Sequence, residues 1–134
     1  MAVGGDIIEI TFNHPTLGSG TIFPKANEDN NYDLGGFESE DDKNMIDGNG
    51  TMIDKLNRKR WYFDTLIAWD MNVGLTLEKI QAMADSPVLA DWTFTHINNT
   101  VYIGNGKPVG DVNGNGNAAT FSLKVSGGGK LKKI

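Results

Sequence analysis

The sequence predicts a mainly β domain with one short helix: a small β-barrel or sandwich of six or seven mostly antiparallel strands. Three observations predict it. Apolar and polar residues alternate with period two in several short stretches, the longest being Arg60–Met71. Asn- and Gly-rich punctuation such as Asn98-Asn99 and Asn113–Asn117 separates those stretches, and these are the residue types that turns demand. Only one segment, after Gly74, carries a helical period. With 134 residues and no cysteine, the chain reads as one domain, 1–134, large enough for a core without disulfide staples.

Asp6–Phe12 reads as the first strand, with Ile8, Ile10 and Phe12 on one face. His14-Pro15 and Gly18-Ser-Gly20 punctuate it, and Thr21–Pro24 starts a return strand. Pro24 cannot donate to a ladder, so it belongs at an edge or a strand end. Residues 25–57 read as a long, polar, acidic loop, with Gly35-Gly36-Phe37 as a short strand or kink inside it. Met45, Ile46, Met52, Ile53 and Leu56 are out of place in a purely solvated loop, so part of it should dock on something.

In Arg60–Met71, Trp61, Phe63, Ile67, Trp69 and Met71 form a dry face interrupted by Thr65, and Tyr62, Asp64, Leu66, Ala68 and Asp70 a half-wet one. Thr76 then stands at an N-cap position, with Leu75 and Ile80 at staple positions. Leu77, Ile80, Met83 and Ala84 share a helical face, and Pro87 stops the helix. At about ten residues it is too short to hold itself together, so it must pack on the sheet. Asp91–Ile97 follows as a strand with Trp92 and Phe94 on one face. Asn98-Asn99 turns it back into Thr100–Ile103. Gly104-Asn-Gly106 reads as a further turn. Ala119–Val125 is the last strand, with Phe121, Leu123 and Val125 inward, before Gly127–Gly129 releases a basic tail, 127–134.

Net charge is −5, unevenly spread. Residues 28–54 hold nine acids against one base, Lys43, while the remainder holds eight acids and eleven bases. A protein that grips nucleic acid through phosphate contacts needs the opposite balance, so tight DNA binding is not expected. The first residues lack a basic region followed by an apolar run, which predicts a soluble protein made in a cytoplasm. No apolar run reaches the length of a membrane helix, so no membrane anchoring is expected.

No enzyme signature is present, and neither cofactor nor metal is expected. Asp111, Asn113 and Asn115 with Gly116 match half a calcium loop, but position twelve is Ser122, and an Asn–Gly turn between strands explains the same residues. His14 and His96 have no metal-spaced neighbours. The serines lack a nucleophile elbow, and the helix start lacks a Gly-rich phosphate loop. Glu40, Asp41 and Asp42 fit a solvated or partner-facing surface better than catalytic carboxylates, which need a rigid, partly dry setting.

Three features together carry a family resemblance. One is the order of elements: N-terminal hairpin, long polar loop, long aromatic strand, short helix, then a run of strands. The second is the stretch Gly110-Asp-Val-Asn-Gly-Asn-Gly-Asn-Ala-Ala-Thr-Phe-Ser-Leu-Lys-Val125, and the third is Asp47-Gly-Asn-Gly-Thr-Met-Ile-Asp54. The layout resembles the tail tube proteins of long-tailed bacteriophages and the related tube subunits of contractile secretion systems. The resemblance implies a structural virion subunit that forms rings, typically hexameric, stacked into a tube through which DNA passes without specific binding. It implies inter-subunit or inter-ring contacts through Glu38, Glu40, Asp41, Asp42, Met45, Ile46, Asp47, Met52, Ile53 and Leu56. It further implies partners among other copies of the chain and among baseplate, terminator or sheath proteins, with assembly in the host bacterial cytoplasm.

Two expectations attach to that reading. Residues 28–57 are expected to be disordered in a free subunit and ordered between subunits. Lys130, Lys132 and Lys133 are expected to meet acids of a neighbouring copy, since one chain carries both signs in separate blocks. The wetter strand face, with Asp64, Asp70 and Lys124, is the candidate lumen wall. A secretion-system tube subunit is one alternative. The rival from another class is a monomeric β-sandwich that binds a glycan or protein through Trp92, Tyr102 and the Asn–Gly loops.

Overall fold

The computed structural model describes residues 3–39, 44–70, 72 and 76–134. The expected class is observed: among the described residues the chain is mainly β with one short helix, and its strands pair antiparallel. Strands β1 (Ile7–His14), β2 (Gly18–Ile22), β3 (Asn31–Asp33), β8 (Trp61–Ala68), β9 (Ala90–His96), β10 (Val101–Pro108) and β12 (Thr120–Gly127) form the main sheet in the order β2-β1-β9-β10-β12-β8-β3. β11 (Gly114–Asn115) pairs with β12, and β13 (Lys132–Lys133) pairs with β10.

The sheet folds on itself at β10. The first part of that strand pairs with β9, from Val101 to Gly106, whereas Lys107 and Pro108 pair with β12. Strands distant in the sheet order therefore meet across the core: Phe63 of β8 stacks on Phe94 of β9 at 4.4 Å, and Trp61 meets Phe94 edge-on. Trp61, Phe63, Thr65 and Ile67 all face inward, as the alternation predicts. The polar interruption is satisfied, because Thr65 Oγ1 donates to Asn30 Oδ1.

At the opposite corner the ladders do not close into a barrel. The chain leaving β2 crosses instead to β8, where Lys25 N donates to Leu66 O and Ala68 N to Phe23 O, both at 2.9 Å. Pro24 faces Ile67 between those bonds, a position that needs no N–H from it.

Four sequence expectations need correction. Ile8 is 43% exposed, and Ile7, Ile10, Phe12 and His14 face inward instead, because the register with β9 shifts between Ile7 and Glu9. Gly104-Asn-Gly106 is no turn but the bend of β10. A Cβ on Gly104 would lie 2.5 Å from Leu131 Cδ2 and 3.0 Å from Trp61 Cε2, so the missing side chains let the Trp61 indole lie against the strand. Gly127–Gly129 does not release the tail: Leu131 is 3% exposed, its N–H bonds Leu34 O, and Lys132–Lys133 add a strand to β10.

The fourth concerns the long loop. Within 25–57 lie β3, β4 (Gly36–Ser39), β5 (Met45–Ile46), β6 (Met52–Ile53) and the start of β7 (Leu56–Lys59). β4 pairs with β7 and β5 with β6, giving a hairpin arm where a loop is expected from composition. Glu40, Asp41, Asp42 and Lys43 lie outside the described residues, as do Met71 and Leu75.

Helix α1 (Thr76–Asp85) has the expected bounds and buries Ile80 and Met83. It packs on the sheet as expected, against β10. Just past its C-terminus Ser86 O accepts from Lys107 Nζ of β10 at 2.9 Å, and Gln81 Nε2 donates to Val112 O. No helix among the described residues is long and apolar enough to cross a membrane.

Candidate assembly surface

The arm continues two strands of the body. Asn31–Asp33 pairs with Tyr62–Asp64, and the same register resumes at Gly36↔Lys59 and runs to Ser39↔Leu56. Between the two ladders, Gly35 and Gly36 take φ of 78° and 98°, values open to glycine at little cost. Gly35 also bridges Lys130 of the tail. An ion network ties down the root: Lys59 Nζ reaches Asp33 at 2.7 Å and Glu38 at 3.1 Å, and Gly35 N donates to Asp33 Oδ1 at 2.8 Å. Lys59 therefore holds the Asp33 carboxyl below its usual range, and the two carboxylates hold Lys59 above the usual lysine range. Arg58 lies over the Phe37 ring on the other face.

At the tip, Asp47 organises the turn. Its Oδ1 accepts from Asn49 N and Thr51 N, and its N–H donates to Thr51 O. Asp47 is thus a turn-former as well as an arm acid. Met45 faces Ile53 and Ile46 faces Met52, pairs that fall on opposite sides of the ribbon. All four are exposed, Ile46 to 71%, as are Phe37 and Leu56. A two-stranded ribbon in water is marginal by itself, and this one leaves aliphatic side chains bare on both faces. Of the residues expected to make contacts, Glu38 joins the root network and Met45, Ile46, Asp47, Met52, Ile53 and Leu56 gather along the arm. Sequence reading missed Phe37, Arg58, Lys59 and Asp33. The available signal was the repeat of Met-Ile-Asp at 45–47 and 52–54 on either side of the turn-type run Gly48-Asn-Gly-Thr51.

The tail lysines lie at the root of this arm. Lys130 bridges Gly35, and Lys132 and Lys133 oppose Ile103 and Tyr102 of β10; all three are exposed. Asp64 and Lys124 are cross-strand partners on one outward face of β8 and β12, where Lys124 Nζ sits 5.3 Å over the Tyr62 ring. Asp70 falls beyond the end of β8, and its carboxylate accepts from Asn72 N. It caps a turn and does not share that face.

The residues weighed for other functions are engaged structurally. Trp92 is fully buried and its Nε1 donates to Gly106 O at 3.1 Å, which removes it from any exposed glycan site. Tyr102 is half-buried against Tyr32. His14 Nδ1 accepts from Thr16 N and Leu17 N while Nε2 lies 3.2 Å from Val88 O, so the proton belongs on Nε2 and the ring is a strand-end tie. Asn115 Oδ1 accepts from Ala118 N, as a turn residue does. Among the described residues, no three His, Cys, Asp or Glu side chains cluster as a metal site.

No protein-family model matches this chain, and no curated protein matches it significantly.

Proposed function

We propose that the chain is a self-assembling structural subunit of the tail-tube kind, forming stacked rings around a channel through which DNA passes. One observation carries the reading: a β-ribbon arm, anchored at its root by Lys59, presents Met45, Ile46, Met52 and Ile53 to solvent on both faces. Apolar surface in that arrangement gains free energy only by burial against another molecule.

The body supports the same reading. Among the described residues β2 has no strand on its outer edge along Gly18–Ile22, and it carries no charged residue or proline to guard it. Edge strands of that kind are satisfied by a further copy, and a contact between different patches, repeated about an axis, makes rings and stacks. The outward face of β8 and β12, with Asp64, Ser122 and Lys124, has no basic strip on which a phosphate polymer would stick. In this role the arm contacts neighbouring subunits or rings, the other partners are baseplate, terminator or sheath proteins, and the assembled protein resides in the virion tail. No catalysis is involved.

Negative-stain imaging of the concentrated protein tests the proposal. Rings or rods of uniform bore are expected. A field of isolated particles of single-chain size at every concentration would overturn it.

A further inference from the structure

We infer that the socket for the arm's tip is the groove on a neighbouring copy between β10 and the Gly128–Lys130 segment. The inference rests on the self-assembly proposed above and names the surface that completes it. Ile103 of β10 and its cross-strand partner Thr93 line the groove together with Gly128, Gly129, Lys130 and Lys132. Asp91, at the far end, is engaged by Asn105 Nδ2 at 3.0 Å. Among the described residues neither lysine has an ion-pair partner. Two lysines beside an exposed isoleucine suit a ribbon that is both aliphatic and acidic. The arm is such a ribbon: Ile46 and Met52 share one face of the tip, with Asp47 and Asp54 beside them, in the segment that holds nine acids against one base.

Geometry selects another copy as the occupant. Gly35, where the arm departs, is bridged to Lys130, so the groove lies at the arm's own root and the ribbon leads away from it. The chain from Gly36 to the turn at Asp47 can reach at most about 40 Å if fully extended. Copies repeating head to tail at that spacing place each tip at the next copy's root, a contact between unlike patches that propagates without closing on itself.

Because the chain has no cysteine, a paired-cysteine test is unambiguous. Ile46→Cys protein is mixed with Ile103→Cys protein under mild oxidation, and in parallel with Phe23→Cys protein, which reports a different exposed groove, near Trp69. Sedimentation velocity on the unoxidised mixtures reads self-association separately. The expected result is a mixed dimer of Ile46→Cys with Ile103→Cys that dominates over the Phe23→Cys product. Lys130→Glu with Lys132→Glu should lower its yield roughly tenfold at low salt and much less at high salt. Association without the Ile103 cross-link, or with the Phe23 cross-link preferred, overturns the socket and leaves self-assembly standing. Absence of association overturns both.

Discussion

Lys59 Nζ lies 2.7 Å from Asp33 Oδ2 at the point where the arm leaves the body. Asp33 is depressed first by that hydrogen bond and then by the Gly35 N–H, so its stabilising contribution is present above the ordinary aspartate range and is lost as pH falls through its lowered value. Lys59 is raised by Asp33 and then Glu38, so its contribution is full below the ordinary lysine range and fades only at strongly alkaline pH. Both contributions are in place at neutral pH, and the accessible window is acidic, below about pH 4. The amide resonance of Gly35, whose N–H donates to Asp33 Oδ1, should shift there in an NMR titration while core amides such as Phe63 stay put. Asp33→Asn should abolish that step; an unchanged step in the variant would remove Asp33 from the network.

The bend of β10 should be intolerant of side chains. A Cβ on Gly106 would run into the Ser126 backbone and the Trp61 ring, neither of which is free to move. Gly106→Ala is expected to cost about 1–3 kcal/mol by overpacking. Gly128→Ala, with nothing within 4 Å, should stay within about 0.5 kcal/mol of the parent. Denaturant midpoints at constant slope decide between them.

Ala119 holds φ at 54°, a region that penalises any Cβ, and its carbonyl accepts from Trp69 N at 2.8 Å. Ala119→Gly should therefore raise stability by up to about 1 kcal/mol, the relief of strain exceeding the added entropy of the unfolded chain. A fall in the denaturation midpoint would contradict it.

The tail has two separable roles. Leu131→Ala removes a buried side chain and should cost about 2–5 kcal/mol of folding stability. Replacing Lys130, Lys132 and Lys133 by Gln should leave folding nearly unchanged and slow association, more at low salt than at high salt. Equal effects of both changes on the denaturation midpoint would collapse the distinction.

Much of the body was legible because a core-facing strand must alternate. Trp61–Ala68 and Thr76–Asp85 emerge with the faces the sequence implies, and Asn99 takes the positive φ, 70°, that its hairpin turn requires. Reading failed where the constraint was tertiary. Gly104 and Gly106 look like turn residues until Trp61 is placed against them, and one extra residue at Ile8 flips a face that simple alternation assigns the other way. Leu131 is a lone apolar residue among lysines, too little to announce a strand. The arm was hardest: neither of its faces packs on its own core, so its five aliphatic residues signalled contact without signalling pairing.

Hydrogen exchange at Met45, Ile46, Met52 and Ile53, followed as protein concentration rises, tests most directly whether another copy covers the arm. Weak protection in the dilute chain is expected, as befits an isolated ribbon, with protection rising at least tenfold as larger species form. Protection at those four amides that is the same at every concentration, while larger species accumulate, would contradict a role for the arm in assembly.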